Sequence, residues 1–497
     1  MSDKGSSVPG IERLFAGESY GATAFCALMA LVPFLIVEGA KAFIVEEVAN
    51  SLGTDRTCIS FSGYLGTAAY AFGALLGGDL VRRFYQRRLF LTVHSVSVLG
   101  WVFMSASPSL VPFAAAQVVT GFCGGALLVI ALPPLLQKFP ASKIPYSAFF
   151  VNFGLFGAVA AGPLVGGLVT AAGPEAWRWF VALFAATGTV VLVAAMRHLP
   201  GGPPKDPERD LDRTAIVLTF FGTVLPFVAI GLMPVYGLLS VPVLALLVIG
   251  LGSLAALILA QYRSSEPLAP IRKALNSFMV MGLVIATIGG GVFITSVSIL
   301  STIRQPLTAS SLELGLSFWP QLLGLTIAAA LFGFVIRTKA LFPLILCGLA
   351  AILIGPALLL TGAMMGDLWF STALFVIGFG AGATVSPGLL VSAISMPVSL
   401  LAGVIAIIEL ARAIGNFMAA PVLIDASRIV YASANLQEPG AILALTILLA
   451  ITGAGVLFSL VLFFTAGSGL PKAAFEPWIA EGKPAFDSPP LFARLRR

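Results

Sequence analysis

The sequence predicts an all-α polytopic membrane protein of fourteen transmembrane helices with both termini cytoplasmic. Three observations predict it. Of the 497 residues 58% are hydrophobic and only 10% charged, where a soluble domain carries about 25% charged residues. Stretch after stretch reaches the roughly 20 apolar residues that cross a bilayer. The lysines and arginines fall almost entirely on one side of the resulting layout.

Taken in order, the first six spans are expected at 22–45, 57–80, 89–108, 111–136, 146–171 and 177–197. A break rich in proline and charge follows, RHLPGGPPKDPERDLDR, too polar to enter lipid. Eight more spans are expected at 214–236, 239–262, 276–301, 309–336, 340–362, 368–394, 398–424 and 440–466, before a polar tail from Gly467. The first apolar run is too long for a signal peptide and is expected as a retained span. Four cysteines, Cys26, Cys58, Cys123 and Cys347, sit singly in apolar runs with no ligand-like spacing.

Charge sets the orientation. With both ends inside, the cytoplasmic segments hold 22 of the 28 lysines and arginines, from Lys4 and Arg13 through Lys205 and Arg209 to Lys483, Arg494, Arg496 and Arg497. The opposite side keeps Arg56, Arg178, Arg304 and Arg428, while Lys41 and Arg412 fall within spans. This is the positive-inside bias, and a wrong span count would scramble it. The net charge of +6 is thereby a topology signal, and no nucleic-acid partner follows from it.

The fifth span carries Gly154, Gly157, Gly162, Gly166 and Gly167 around Pro163. Small residues let helices approach closely in lipid. A proline frees a backbone carbonyl that only covering protein tolerates. Part of this pattern repeats. Gly121-Phe-Cys-Gly-Gly-Ala in the fourth span returns 257 residues later as Gly378-Phe-Gly-Ala-Gly-Ala, and the glycine-to-proline run ending at Pro163 returns 258 residues later, ending at Pro421. The repeat predicts an N-terminal segment (1–21), a six-helix bundle (22–197), a linker with two inserted helices (198–273), a second six-helix bundle (274–466) and a cytoplasmic tail (467–497). Paired halves around a midplane cleft are a transporter architecture.

Several motifs carry a family resemblance. Gly78, Asp79, Arg82, Arg83, Arg87 and Arg88 lie in GDLVRRFYQRR, which resembles the G-x-L-a-D-R-x-G-R-R loop signature of the major facilitator superfamily. Gln117-Val-Val-Thr-Gly121 is similar to its fourth-helix R-x-x-q-G signature. Gly162, Pro163, Gly166 and Gly167 resemble the fifth-helix antiporter motif, followed by Trp177-Arg178-Trp179-Phe180; Gly315 to Pro320 and Ala402 to Gly415 resemble two more landmarks. Together they point to the fourteen-helix drug:proton antiporters within that superfamily. The resemblance implies the major facilitator fold and efflux by alternating access. Departures are visible. Arg82 stands where the loop signature has aspartate, Tyr85 where it has glycine, and Gln117 where the fourth helix has the arginine linked to proton coupling. The loop is expected to latch the halves on the cytoplasmic face, and without that aspartate the latch must be rebuilt or weaker.

Charges inside the spans carry the chemistry, because each costs roughly 2.5–3.5 kcal/mol at mid-membrane. Glu38 and Lys41 are three residues apart in the first span, as are Glu409 and Arg412 in the thirteenth. That spacing puts each pair on one helical face, where its members can neutralise one another. Either the pairs merely tolerate burial, or a carboxylate separated from its cation takes up a proton and couples transport. His94 is expected to be packed, Glu46 and Glu47 solvated at the outer end. Trp101, Trp319, Gln321, Asn152, Asn416, Tyr64 and Tyr70 are candidates to line a cavity.

The function expected is secondary active export of a small amphipathic or lipophilic compound, with protons as the coupling ion. Alternatives are an uncoupled metabolite or lipid exporter or uniporter, and a non-transporting scaffold held together by the ion pairs. Two histidines and no metal-ligand cluster leave little chemistry for an intramembrane enzyme, and no cofactor is expected. Nothing resembles a nucleotide-binding loop. The expected partners are the small-molecule substrate and the lipid of a cytoplasmic (inner) membrane, with an envelope adaptor protein left open and a monomer as the working unit.

Overall fold

The computed structural model describes residues 19–204, 206–208, 212–264, 267–305, 308–362, 366–431, 438–466 and 472–492. The expected cytoplasmic charges Lys4, Arg13, Lys205, Arg209, Arg494, Arg496 and Arg497 lie outside the described residues. Among those described, fourteen helices are long and apolar enough to span a membrane. They are α1 (Tyr20–Ser51), α2 (Arg56–Arg83), α3 (Gln86–Ser105), α4 (Leu110–Gln137), α5 (Ala141–Ala172), α6 (Ala176–His198), α7 (Arg213–Tyr236), α8 (Val241–Arg263), α9 (Ser277–Arg304), α10 (Ser311–Val335), α11 (Leu341–Thr361), α12 (Asp367–Ile394), α13 (Val398–Tyr431) and α14 (Pro439–Ala466).

Every expected span has its helix, and the differences lie at the ends. Helix α1 continues past 45 to Ser51, so Glu46 and Glu47 belong to it, Glu46 exposed and Glu47 half-buried. Hydropathy marks only the lipid-covered part, whereas helical hydrogen bonds continue until the chain turns at Gly53, with φ +62°. Helix α3 stops at Ser105 rather than 108, because Pro108 disfavours helical backbone in the residue before it. Helix α5 contains a π-helical turn at Asn152–Phe156, and α10 is made of Ser311–Leu316 and Trp319–Val335, with Pro320 opening the second piece.

Two six-helix bundles form around equivalent glycine contacts. A Cβ at Gly121 of α4 would stand 2.1 Å from the Gly66 carbonyl oxygen of α2, and one at Gly378 of α12 would stand 2.0 Å from the Gln321 carbonyl oxygen of α10. The repeated motif is therefore a pair of close helix crossings, each possible only without a side chain.

The inserted pair is clamped at both ends. Asp212 caps α7 through the Ala215 N–H (2.9 Å) and accepts from Gln261 Nε2 at the end of α8 (2.9 Å). The outer half of α7 reaches both bundles. Gly231 packs on the Phe61 ring of α2, Ile230 and Met233 cluster with Met418 and Val422 of α13, and the Leu238 N–H donates to Asp425 Oδ2 of α13 at 2.7 Å. The preceding linker is held to the first bundle, where Asp206 pairs with Arg82 (3.0 Å) and its N–H donates to the Arg82 carbonyl (2.9 Å).

The polar tail expected from Gly467 is docked, with residues 472–492 folded back onto the ends of the helices. A short helix, Phe475–Glu481, buries Phe475 and Trp478 completely, and Trp478 Nε1 donates to the Met396 carbonyl at 3.1 Å. Glu476 pairs with Arg337 at the end of α10 (2.6 Å), and the same helix touches the turn Ala141–Lys143 that opens α5. Farther on, the Ser277 N–H donates to the Pro489 carbonyl (2.9 Å) and the Phe486 ring meets Phe278 edge-on. Tail polarity hid this because two aromatic residues, too few to read as a span, carry the docking.

Candidate functional site

Both intramembrane ion pairs form, each within one turn of its own helix. Lys41 Nζ lies 2.5 Å from Glu38 Oε2, and Thr67 Oγ1 of α2 donates to Glu38 Oε1 at 3.4 Å. The Glu38 side chain is 5% exposed and that of Lys41 37%. The ammonium also faces two aromatic rings, Tyr64 of α2 at 5.9 Å and Phe417 of α13 at 5.4 Å, where the ring quadrupole attracts a cation. The Arg412 guanidinium bonds Glu409 Oε1 directly; both side chains are buried. Across the bundle boundary Tyr70 Oη of α2 donates to Glu409 Oε2 at 3.1 Å, and Arg412 lies 4.6 Å from the Phe156 ring of α5.

Each pair thus belongs to one bundle and touches the other. Tyr70 sits between them, bonded to Glu409 and stacked on Phe34 of α1, one turn before Glu38, with ring centroids 4.9 Å apart. Tyr70 appears in the sequence only as one of several aromatic candidates. The signal that singles it out is its position three residues after Thr67, on the face of α2 turned to Glu38. Phe156 and Phe417 had no sequence signal beyond hydrophobicity.

Bundle contacts occur at three depths. At the inner end Gly78 of α2 faces Ala406 of α13, with room for a Cβ only 3.2 Å from the Ala406 Cβ. At mid-depth Asn152 Nδ2, in the π-helical turn of α5, donates to the Gly382 carbonyl of α12 at 2.7 Å. At the outer end Gly167 and Pro163 of α5 pack on Gly315 of α10, where a Cβ would stand 2.5 Å from the Pro163 carbonyl oxygen. Gly162 and Gly166 turn the other way, onto Gly39, Ala40 and Phe43 of α1. One motif on α5 therefore carries a seam inside its bundle, beside Glu38, and a seam between the bundles.

The charges of the loop motif pair locally and with the linker. Asp79, one turn before Arg83, pairs with it at 2.6 Å with both side chains nearly buried, while Arg82 takes Asp206 from the linker. Arg88 stacks on Tyr85 at 5.2 Å, and Arg87 is half-buried at the start of α3. In the fourth helix the neutral Gln117 accepts from Ser62 Oγ at 2.7 Å. His94 is packed as expected, with Nε2 3.1 Å from the Gly188 carbonyl. Of the other cavity candidates, Trp101 is buried against Phe184, Trp319 is exposed on the outside of α10, and Gln321 is fully buried.

A family model, that of the Major Facilitator Superfamily, matches residues 21–420. The chain belongs to the major facilitator superfamily. Its relatives include an uncharacterized superfamily transporter of Bacillus subtilis, YubD, 26% identical over 418 residues, covering 82% of this chain and 80% of that protein. A multidrug resistance protein B homolog of Mycobacterium tuberculosis is 24% identical over 373 residues, covering 74% and 68%. Among solved structures, a double-tryptophan mutant of XylE superposes with a TM-score of 0.61 at 15% identity, covering 92% of this chain and 98% of the other. The superfamily places this protein among multi-pass membrane transporters of small molecules.

Proposed function

We propose that this transporter exports a small amphipathic or lipophilic compound in exchange for protons, with Glu38 as the coupling carboxylate. One observation carries the proposal: the cation that neutralises Glu38 is itself shared with the opposite bundle, through the Lys41 ammonium beside Phe417. Rocking that withdraws α13 takes that ring from the ammonium and changes how firmly Lys41 holds Glu38. A buried carboxylate that loses its cation gains proton affinity. Glu409 has the reciprocal arrangement, with a Tyr70 bond from the other bundle, and is the second candidate. The multidrug-resistance name of a relative supports the efflux direction. An uncoupled exporter is the competing reading, favoured by the neutral Gln117 on Ser62.

The test is transport by the purified chain in liposomes, with and without an imposed pH gradient, for wild type and Glu38→Gln. Coupled antiport predicts gradient-driven movement that the variant loses while still exchanging substrate down its own concentration gradient. Transport indifferent to both gradient and substitution would establish the uncoupled exporter instead.

A further inference from the structure

The docked tail lies where both inner seams between the bundles end. Gly78 of α2 faces Ala406 of α13 in one seam. In the other, Gly333 of α10 faces α5, where a Cβ would stand 3.1 Å from both the Pro145 carbonyl oxygen and the Phe149 Cβ. The tail reaches each. Its helix pairs Glu476 with Arg337, one turn past Gly333 on α10, and touches Ala141–Lys143, the turn that opens α5 just before Pro145. Beyond that helix the Gly482 carbonyl accepts from the Val398 N–H (3.3 Å) at the start of α13, two turns before Ala406. The Ala485 N–H donates to the Ile394 carbonyl of α12 (2.8 Å), and Ser488 Oγ accepts from the Phe278 N–H of α9 (2.9 Å). The tail is thus fastened to α9, α10, α12 and α13, and it meets the first bundle at the α5–α10 seam.

We propose that this tail is an autoinhibitory strap that holds the inner mouth of the transporter shut. The reason is linkage. Its docking surface takes in both bundles, so that surface is complete only while α5 and α10 meet at their inner ends. A segment that binds the closed arrangement better than the open one stabilises the closed one by that difference. Undocking exposes two aromatic side chains, since Phe475 and Trp478 are 1% and 0% exposed, and it breaks the indole bond to the Met396 carbonyl. Opening the inner mouth therefore requires either that the tail lose its hold on Ala141–Lys143 or that it lift from the second bundle. The turn that brings it back over α13 depends on one residue, Gly482, with φ +70°. The strap acts on the rocking motion itself, whatever the cargo and whether or not protons drive it.

The test uses the purified full chain with one added reporter cysteine, read by its rate of reaction with a water-soluble maleimide above that of the chain without it. Ala329→Cys reports the inner seam, because Ala329 is 0% exposed and one turn before Gly333, on the face of α10 turned to α5. Ser311→Cys reports the outer seam, where Gly167 packs on the Ser311 carbonyl. Two variants release the tail by different routes. Trp478→Ala removes its anchor. Gly482→Val strains its left-handed turn at a place where nothing stands within 4 Å of a Cβ. Hydrogen exchange reads both the release and the fold of the helices. A released tail should speed labelling of the Ala329→Cys reporter about fivefold or more. It should leave the Ser311→Cys reporter unchanged or slower, because alternating access does not open both mouths together. Inner labelling that ignores a released tail overturns the strap. Equal acceleration at both reporters overturns it too, since that marks a loosened fold and not an opened mouth.

Discussion

At the scale of single residues, Arg412 and Glu409 are paired at the depth where water is least available, and the two are not symmetrical. Arg412 keeps the Phe156 ring besides its carboxylate, while Glu409 has only Arg412 and the Tyr70 hydroxyl among the described contacts. Removing the cation alone strands a buried carboxylate. Arg412→Ala should therefore cost about 3–5 kcal/mol, read as a fall in the thermal midpoint of the detergent-purified protein. The neutral double variant Glu409→Gln/Arg412→Gln should recover most of that loss, because two amides of similar size need no mutual charge. A double variant as unstable as Arg412→Ala would mean that packing of the guanidinium, and not its charge, is what matters. The i,i+3 spacing made both pairs legible in the chain. That Tyr70 and Phe417 reach them from the other bundle was not, because Tyr70 lies 339 positions from Glu409 and Phe417 lies 376 from Lys41, separations that carry no mark of adjacency until the helices pack.

At the scale of elements, α5 separates two kinds of glycine contact that look alike as sequence. Gly162 closes a seam within the first bundle, where a Cβ would stand 2.3 Å from Gly39 Cα; Gly315 closes the outer seam between bundles against Pro163. Bulk at the first has nowhere to go, since α1 and α5 move together. Gly162→Val should destabilise the protein by about 1–3 kcal/mol or more through overpacking. The same substitution at Gly315 has an escape, because the bundles can part. It should leave the thermal midpoint nearly unchanged and raise the reactivity of a cysteine placed at Ser311 toward an impermeant reagent from the outside. Matching effects of the two variants on stability would contradict this division. The glycine repeat was readable from the offset of 257 residues between Gly121 and Gly378. Which glycines face which partner was not, since small residues mark close approach but not the helix that makes it.

At the scale of the whole molecule, contacts between the bundles at inner, middle and outer depth leave the described structure closed along its boundary, and the tail lies over the inner end. Its helix is joined to α10 by the Glu476–Arg337 pair, touches the start of α5, and is anchored by the buried Trp478 indole. Truncating a buried tryptophan costs about 3–5 kcal/mol, a large share of what so short an element can gather. Trp478→Ala should release residues 475–486 while the fourteen helices stay folded. Hydrogen exchange would show it as lost protection in the tail with protection of α9 and α12 retained. Protection of the tail that persists in the variant would place its anchoring in the backbone bonds to Ala485 and Ser277 instead.

Composition, span length and charge bias by themselves determined that this chain crosses a membrane fourteen times and which of its ends share a face. Those properties depend on the cost of burying peptide and charge in hydrocarbon, and each residue contributes to that cost whatever its neighbours. The repeated glycines added the two-bundle plan, because close helix crossings need small residues at fixed spacing. Tertiary structure alone decided that Arg82 takes Asp206 from the linker, that α7 bridges α2 to α13, and that the tail docks. It alone brought Phe156 onto Arg412 and Asn152 onto the Gly382 carbonyl. Such contacts depend on geometry between segments far apart in the chain, where energies of one or two hydrogen bonds choose among partners that hydropathy treats as equal.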